Sequence, residues 1–137
     1  MKRYVYILFM VIFLCKTSAR VIVYNIGDVA RRAQEILIDY DRNGEINCVD
    51  KAVAFKLIWD KTYRWHPCQL IRNSNLDANY HHLFVRVFIL GRWYYLEPNY
   101  KPNRDSYLME DVWGDRYNPA YNYYGETSYW LDKCGIH

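Results

Sequence analysis

No apolar run in this sequence is a comfortable match for the roughly 20 residues that a membrane-spanning helix needs. The N-terminal run, Tyr4 to Leu14, stops short, follows Lys2 and Arg3, and gives way to Lys16-Thr17-Ser18-Ala19. A basic start, a short apolar stretch and small residues at its exit describe a signal peptide cleaved after Ala19. The chain is therefore expected to be exported (periplasmic, extracellular or at the cell surface) and to keep no stable membrane span after cleavage. An uncleaved anchor is the other reading of the same run. Cys15 does not make it a lipoprotein, because Leu14 before it is too bulky for a lipidation site. Net charge is scarce too. Losing Lys2, Arg3 and Lys16 brings the 18 basic residues level with the 15 acidic ones. A neutral domain has no pull on a polyanion, so nucleic acid is not an expected partner. There are no internal repeats and no second domain: residues 20–137 read as a single domain around one core.

Cysteine is sparse and, after cleavage, odd in number: Cys48, Cys68 and Cys134 remain. In an exported protein that count suggests one bridge and one thiol left over. If Cys48 is the reactive thiol, Cys68 and Cys134 are the natural pair, tying the C-terminal tail to the middle of the chain. The alternative is three reduced, buried cysteines.

Periodicity supplies the elements. Val29, Ala33, Ile36, Leu37 and Tyr40 recur at helical spacing and predict a helix over 28–40, with Asp28 as its N-cap. A polar loop with Gly44 follows. A second helix is predicted from Asn47 or Cys48 to Lys61, with Cys48, Ala52, Phe55 and Trp59 on one face. Beyond Pro67 the pattern is that of strands: 68–72, then 81–90, then 93–97 after the Gly91-Arg92 turn. On the long strand His82, Phe84, Arg86 and Phe88 share one face, and His81, Leu83, Val85, Val87 and Ile89 the other. Residues 99–137 are dense in Tyr and Trp and rich in turn formers. They read as loops with short strands or helical turns wrapped on the core. Rings such as Tyr121, Tyr123, Tyr124, Tyr129 and Trp130 can stack on sugars, but more often simply pack.

Cys48 stands at the start of a helix, on the side that looks into the fold. A thiol attacks a carbonyl well only as the thiolate, which a helix N-terminus and a nearby imidazolium favour. The imidazole has to come from another element and to be oriented by an acceptor. His82, at the start of the long strand, and Glu97, at the end of its hairpin partner, are placed to supply both. Three blocks carry a resemblance: Asn47-Cys48-Val49-Asp50-Lys51-Ala52-Val53-Ala54-Phe55, His82-Leu83-Phe84-Val85-Arg86-Val87, and Gly91-Arg92-Trp93-Tyr94-Tyr95-Leu96-Glu97-Pro98. In kind and order they resemble the transglutaminase-like cysteine peptidases, over about residues 45–98. The resemblance implies an α+β fold with a papain/transglutaminase-like core, a catalytic helix packed on an antiparallel sheet. It implies Cys48 as nucleophile, His82 as base and Glu97 as the orienting acid, where that family more often has Asp. Trp59, Gln69 and Asn73 are candidates for an oxyanion donor beyond the Cys48 backbone N–H.

The loop before Cys48 follows the spacing of a calcium-binding EF-hand. Asp39, Asp41 and Asn43 fall at the first three ligand positions, Gly44 at the turn, and Glu45 where a backbone carbonyl coordinates. Ile46 takes the apolar core position and Asp50 the last ligand position, with helices predicted on both sides. Hard oxygen donors at this spacing suit Ca²⁺ in a structural role, holding the first turn that presents Cys48. The expected function is thiol-dependent acyl transfer on an amide bond of a peptide or cell-wall-type substrate. Hydrolysis is favoured over cross-linking because the chain is small. The alternative is a non-catalytic, calcium-stabilised exported binding module with the same fold and a structural Cys48.

Overall fold

The computed structural model describes residues 26–76, 82–99 and 106–137. The expected signal peptide and its cleavage point lie outside them. Among the described residues no helix is long and apolar enough to cross a membrane.

Among the described residues helix α1 covers 26–35, so it ends earlier than the apolar spacing predicts. Its end is set from outside. The Lys51 ammonium, carried on the next helix, donates to the carbonyls of Gln34 and Ile36, both at 2.7 Å, and so satisfies oxygens that a helix end leaves open. Burial pulls the Lys51 pKa down, with the Asp50 charge acting in the opposite sense. The chain then leaves the helical path, and Leu37 and Ile38, at 77% and 51% exposure, do not continue the inner face. Asp28 is not the cap but lies within the helix, paired with Arg31 at 2.8 Å.

Helix α2 runs Cys48–Thr62, as predicted. Its start is locked reciprocally: the Asn47 side chain accepts the Val49 N–H at 2.9 Å, and the Asp50 carboxylate accepts the Asn47 N–H at 2.9 Å. Such a capping box satisfies donors that the first turn leaves open. Ala52, Phe55 and Trp59 are buried, and the Trp59 indole N–H donates to the His66 carbonyl at 2.7 Å.

The helix lies on a four-stranded antiparallel sheet in the order β3-β2-β1-β4. The strands are β1 (Cys68–Asn73), β2 (His82–Ile89), β3 (Arg92–Leu96) and β4 (Asn122–Tyr123). Alternation sorts the side chains as the sequence predicts. Leu70, Leu83, Val85, Val87 and Leu96 share the α2 core, while Ile71 and Phe84 join Met109 in a second cluster. Met109 opens α3 (Met109–Trp113), and α4 (Thr127–Lys133) adds Trp130 to the first core. The fold is α+β, and the tail is built of short turns and helices as expected.

The β2–β3 hairpin turns on Leu90 and Gly91, with φ of 51° and 81°. Two positive φ values match the right-handed twist of the strands, but a leucine in that region is strained. Leu90 is exposed, so Leu90→Asn is expected to stabilise the fold by about 0.5–1 kcal/mol, since Asn tolerates this conformation. Urea unfolding checks it; an unchanged or lowered midpoint would contradict the assignment of strain.

Candidate active site

Cys48 is the first residue of α2, so the capping box that fixes the helix start also fixes the sulfur. His82 is the first residue of β2 and Glu97 the first beyond β3. With Val85 opposite Leu96, Glu97 comes to lie across from Phe84, and His82 is its diagonal neighbour on the same face. The structure brings all three together. His82 Nε2 is hydrogen-bonded to Glu97 Oε2, and the imidazole is hydrogen-bonded to Cys48. The ring therefore bridges sulfur and carboxylate.

Glu97 is only 2% exposed. Besides His82, its carboxylate accepts the Trp113 indole N–H at 2.8 Å and the Asn99 backbone N–H at 3.0 Å. A carboxylate so nearly removed from water needs such donors for its oxygens. Burial by itself disfavours a charged imidazole, yet the hydrogen bonds to Cys48 and Glu97 and the Glu97 charge outweigh it, and the His82 pKa is pushed up to about 10. Trp113 meets the His82 ring edge-on at 5.0 Å and Phe84 stacks on it at 6.3 Å. The ring is held in orientation, and its charged form is favoured.

Trp113 is the residue of this cluster that sequence reasoning missed. It lies in the tail, with no local pattern to mark it. The one available signal was indirect: a buried Glu97 needs donors, and tail indoles can provide them. The oxyanion candidates are engaged elsewhere, although Asn73 stands opposite His82 in the β1–β2 register. Trp59 lies about 16 Å along α2 from Cys48, at roughly 1.5 Å per residue, and its N–H is taken by His66. Gln69 accepts from Arg86 at 2.8 Å. The Asn73 amide is spent on Asn118 and Asn122 at 3.0 and 2.9 Å.

In the loop before α2, carboxylate oxygens of Asp39, Asp41 and Asp50 lie within 4.8 Å of one another. Asp39 accepts the Asn43 and Gly44 N–H groups at 3.1 and 2.7 Å. The buried Asp50 accepts the Tyr40 N–H at 2.6 Å in addition to capping α2. Burial, then the hydrogen bond with Asp39, raises the Asp41 pKa. Asn43 and Glu45 are exposed, and the Asn43 side-chain oxygen is occupied by the Glu45 N–H at 2.8 Å. Two expectations need correction. Ile46 is 43% exposed rather than an inner residue, and α1 ends at residue 35 instead of leading into Asp39, because Lys51 takes its terminal carbonyls.

No disulfide joins Cys68 to Cys134; both are free thiols. They have different surroundings. Cys68 is buried near Lys56 and Asp60, and burial raises its pKa far above the ordinary range. Cys134 is nearer the acidic loop; burial, then the charges of Asp41 and Asp50, push its pKa up to about 11.

No protein-family model, curated protein or solved structure matches this chain.

The His82 shift predicts a pH dependence. An unfolded His82 gives up its proton near 6.5, whereas the folded ring holds it to about 10. Its contribution to stability is thus whole below pH 6.5 and is lost as the pH rises towards 10. The melting temperature of the wild type should fall across this window more steeply than that of His82→Gln. Parallel curves for the two proteins would refute the assignment.

Proposed function

We propose that the protein is a thiol-dependent acyl-transfer enzyme acting on amide bonds, a peptidase or amidase with a papain/transglutaminase-like core. The reading rests on one observation, the His82 ring held between Cys48 and the buried Glu97. In the reaction, Cys48 as thiolate attacks the amide carbonyl carbon. The His82 imidazolium gives its proton to the departing amine as the C–N bond breaks, leaving a thioester on sulfur. The neutral imidazole then takes a proton from water as its oxygen attacks the thioester, and the acid is released with the thiolate restored. Glu97 keeps Nε2 engaged, so the opposite ring nitrogen is directed at the sulfur, and it stabilises the imidazolium. The Cys48 backbone N–H, in the first turn of α2, is the donor assigned to the oxyanion. Peptides or cell-wall-type amides outside the cell are the substrates this reading implies.

Iodoacetamide labelling near neutral pH is the direct test. Cys48 should react at least tenfold faster than the buried Cys68, and His82→Ala should slow it by at least tenfold. Slow labelling indifferent to His82 would identify instead a binding module with a structural Cys48.

Three converging carboxylates fit a hard divalent cation. Ca²⁺ is the ion proposed, held by Asp39, Asp41 and Asp50, with Asn43 and Glu45 as further loop ligands. It would supply the positive charge that this cluster needs, next to the turn that presents Cys48. Adding Ca²⁺ to chelator-treated protein should raise the melting temperature and alter Cys48 labelling, and Asp41→Asn should abolish both effects. If neither quantity moves in the wild type, the calcium assignment fails.

A further inference from the structure

Strand β3 ends the sheet order β3-β2-β1-β4, so among the described residues its outer side has no neighbouring strand. The tight turn at Leu90-Gly91 settles which of its groups face outwards. Ile89 and Arg92 close the turn as a hydrogen-bonded pair, and Val87–Tyr94 and Val85–Leu96 follow in alternation. Trp93 and Tyr95 therefore direct their backbone groups away from β2. At the far end the edge is already taken: Leu108 bridges Leu96, and Tyr107 accepts the Glu97 N–H at 2.8 Å. Among the described residues this leaves a short open edge along Trp93–Tyr95.

A groove of about 210 Å³ follows that edge, walled on its other side by Leu108, Glu110 and Tyr117. Its aromatic rings are poorly placed to stack on a flat ligand. The Arg86 guanidinium lies 3.9 Å over Trp93, with Phe88 packed against the same indole at 5.1 Å. Arg92 lies 4.8 Å over Tyr94, and the Tyr95 hydroxyl accepts from Arg86 at 3.3 Å. What remains for a ligand is the main-chain edge, ring rims and one charge: Glu110 is the sole charged side chain lining the groove among the described residues.

We propose that this groove binds an extended peptide carrying lysine or arginine, which adds to β3 as a fifth strand and sets its cation at Glu110. A second copy of the chain is a poorer occupant. The open run is three residues long, whereas a stable dimer buries about 800 Å² on each partner. The wall formed by α3 and Tyr117 suits a single strand rather than another sheet. The proposal does not rest on the chemistry of Cys48, although α3, which walls the groove, also carries Trp113.

The probe is an array of end-blocked hexapeptides, randomised except for one position held as Lys, Arg or Glu, tested against the Cys48→Ala chain. Peptides with Lys or Arg should be retained at least tenfold better than their Glu counterparts, and adding Glu110→Lys should invert the preference. N-methylation of alternate peptide amides, which keeps every side chain, should abolish retention, and bound peptide should slow hydrogen exchange at the Trp93 amide. Equal cysteine-labelling rates in wild type and Glu110→Lys would show that the fold survives the charge reversal. Retention without a basic preference, indifference to N-methylation, or no retention would overturn the proposal. Protection of Trp93 that depends on protein concentration alone would overturn it in favour of a second copy.

Discussion

The buried carboxylate of Glu97 is the group on which the arrangement depends. A charge almost removed from water is tolerable only with several donors around it, and here they come from three different places. His82 arrives from β2, Trp113 from α3, and the Asn99 N–H from the turn just after the strand. Each fixes one relationship. The His82 bond fixes the β2–β3 register at the end of the hairpin, since a slip of one residue would send His82 to the α2 face. The Trp113 bond fixes α3 against the sheet. The Asn99 bond shapes the exit of the chain from β3. Satisfying one carboxylate thus joins parts of the fold that are distant in sequence.

A second carboxylate, Asp50, does the same for the other half of the site. It is fully buried and holds the N–H groups of Asn47 and Tyr40, so the start of α2 and the acidic loop share one anchor. Lys51, next to it, reaches back to the end of α1. Cys48 is placed by this pair of neighbours before it meets His82. Helix start, loop and preceding helix are thus tied together through two adjacent residues, close in sequence to the sulfur.

The legible parts of the fold were those in which local pattern and tertiary role agree. The inner face of α2 and the two faces of β2 follow from spacing alone, because their partners are broad apolar surfaces that ask only for regular periodicity. That Cys48, His82 and Glu97 meet was legible because each stands at an element boundary within the three blocks that carry the resemblance. The end of α1 was not, since Ile36, Leu37 and Tyr40 fit a helical face while the stop comes from Lys51. Trp113 was illegible for a related reason: its importance lies in one hydrogen bond to a residue in another element. The expected Cys68–Cys134 bridge came from counting cysteines, and a count holds no information about surroundings. One thiol lies near Lys56 and the other by the acidic loop.

The length of the acid also has a physical account. The resemblance drawn from the sequence would imply Asp more often than Glu at position 97. The longer arm lets one carboxylate oxygen take both His82 and Trp113 while the other turns back to the Asn99 N–H. With Asp at this position the carboxylate would retreat by one methylene, about 1.5 Å by ordinary bond lengths. The Asn99 N–H, two residues along the same chain, would stay within reach, while the bond to the ring would lengthen beyond the usual length of about 2.9 Å. Glutamate and tryptophan thus form a matched pair: the extra methylene extends the carboxylate, and the indole on α3 supplies the donor that holds it at that reach.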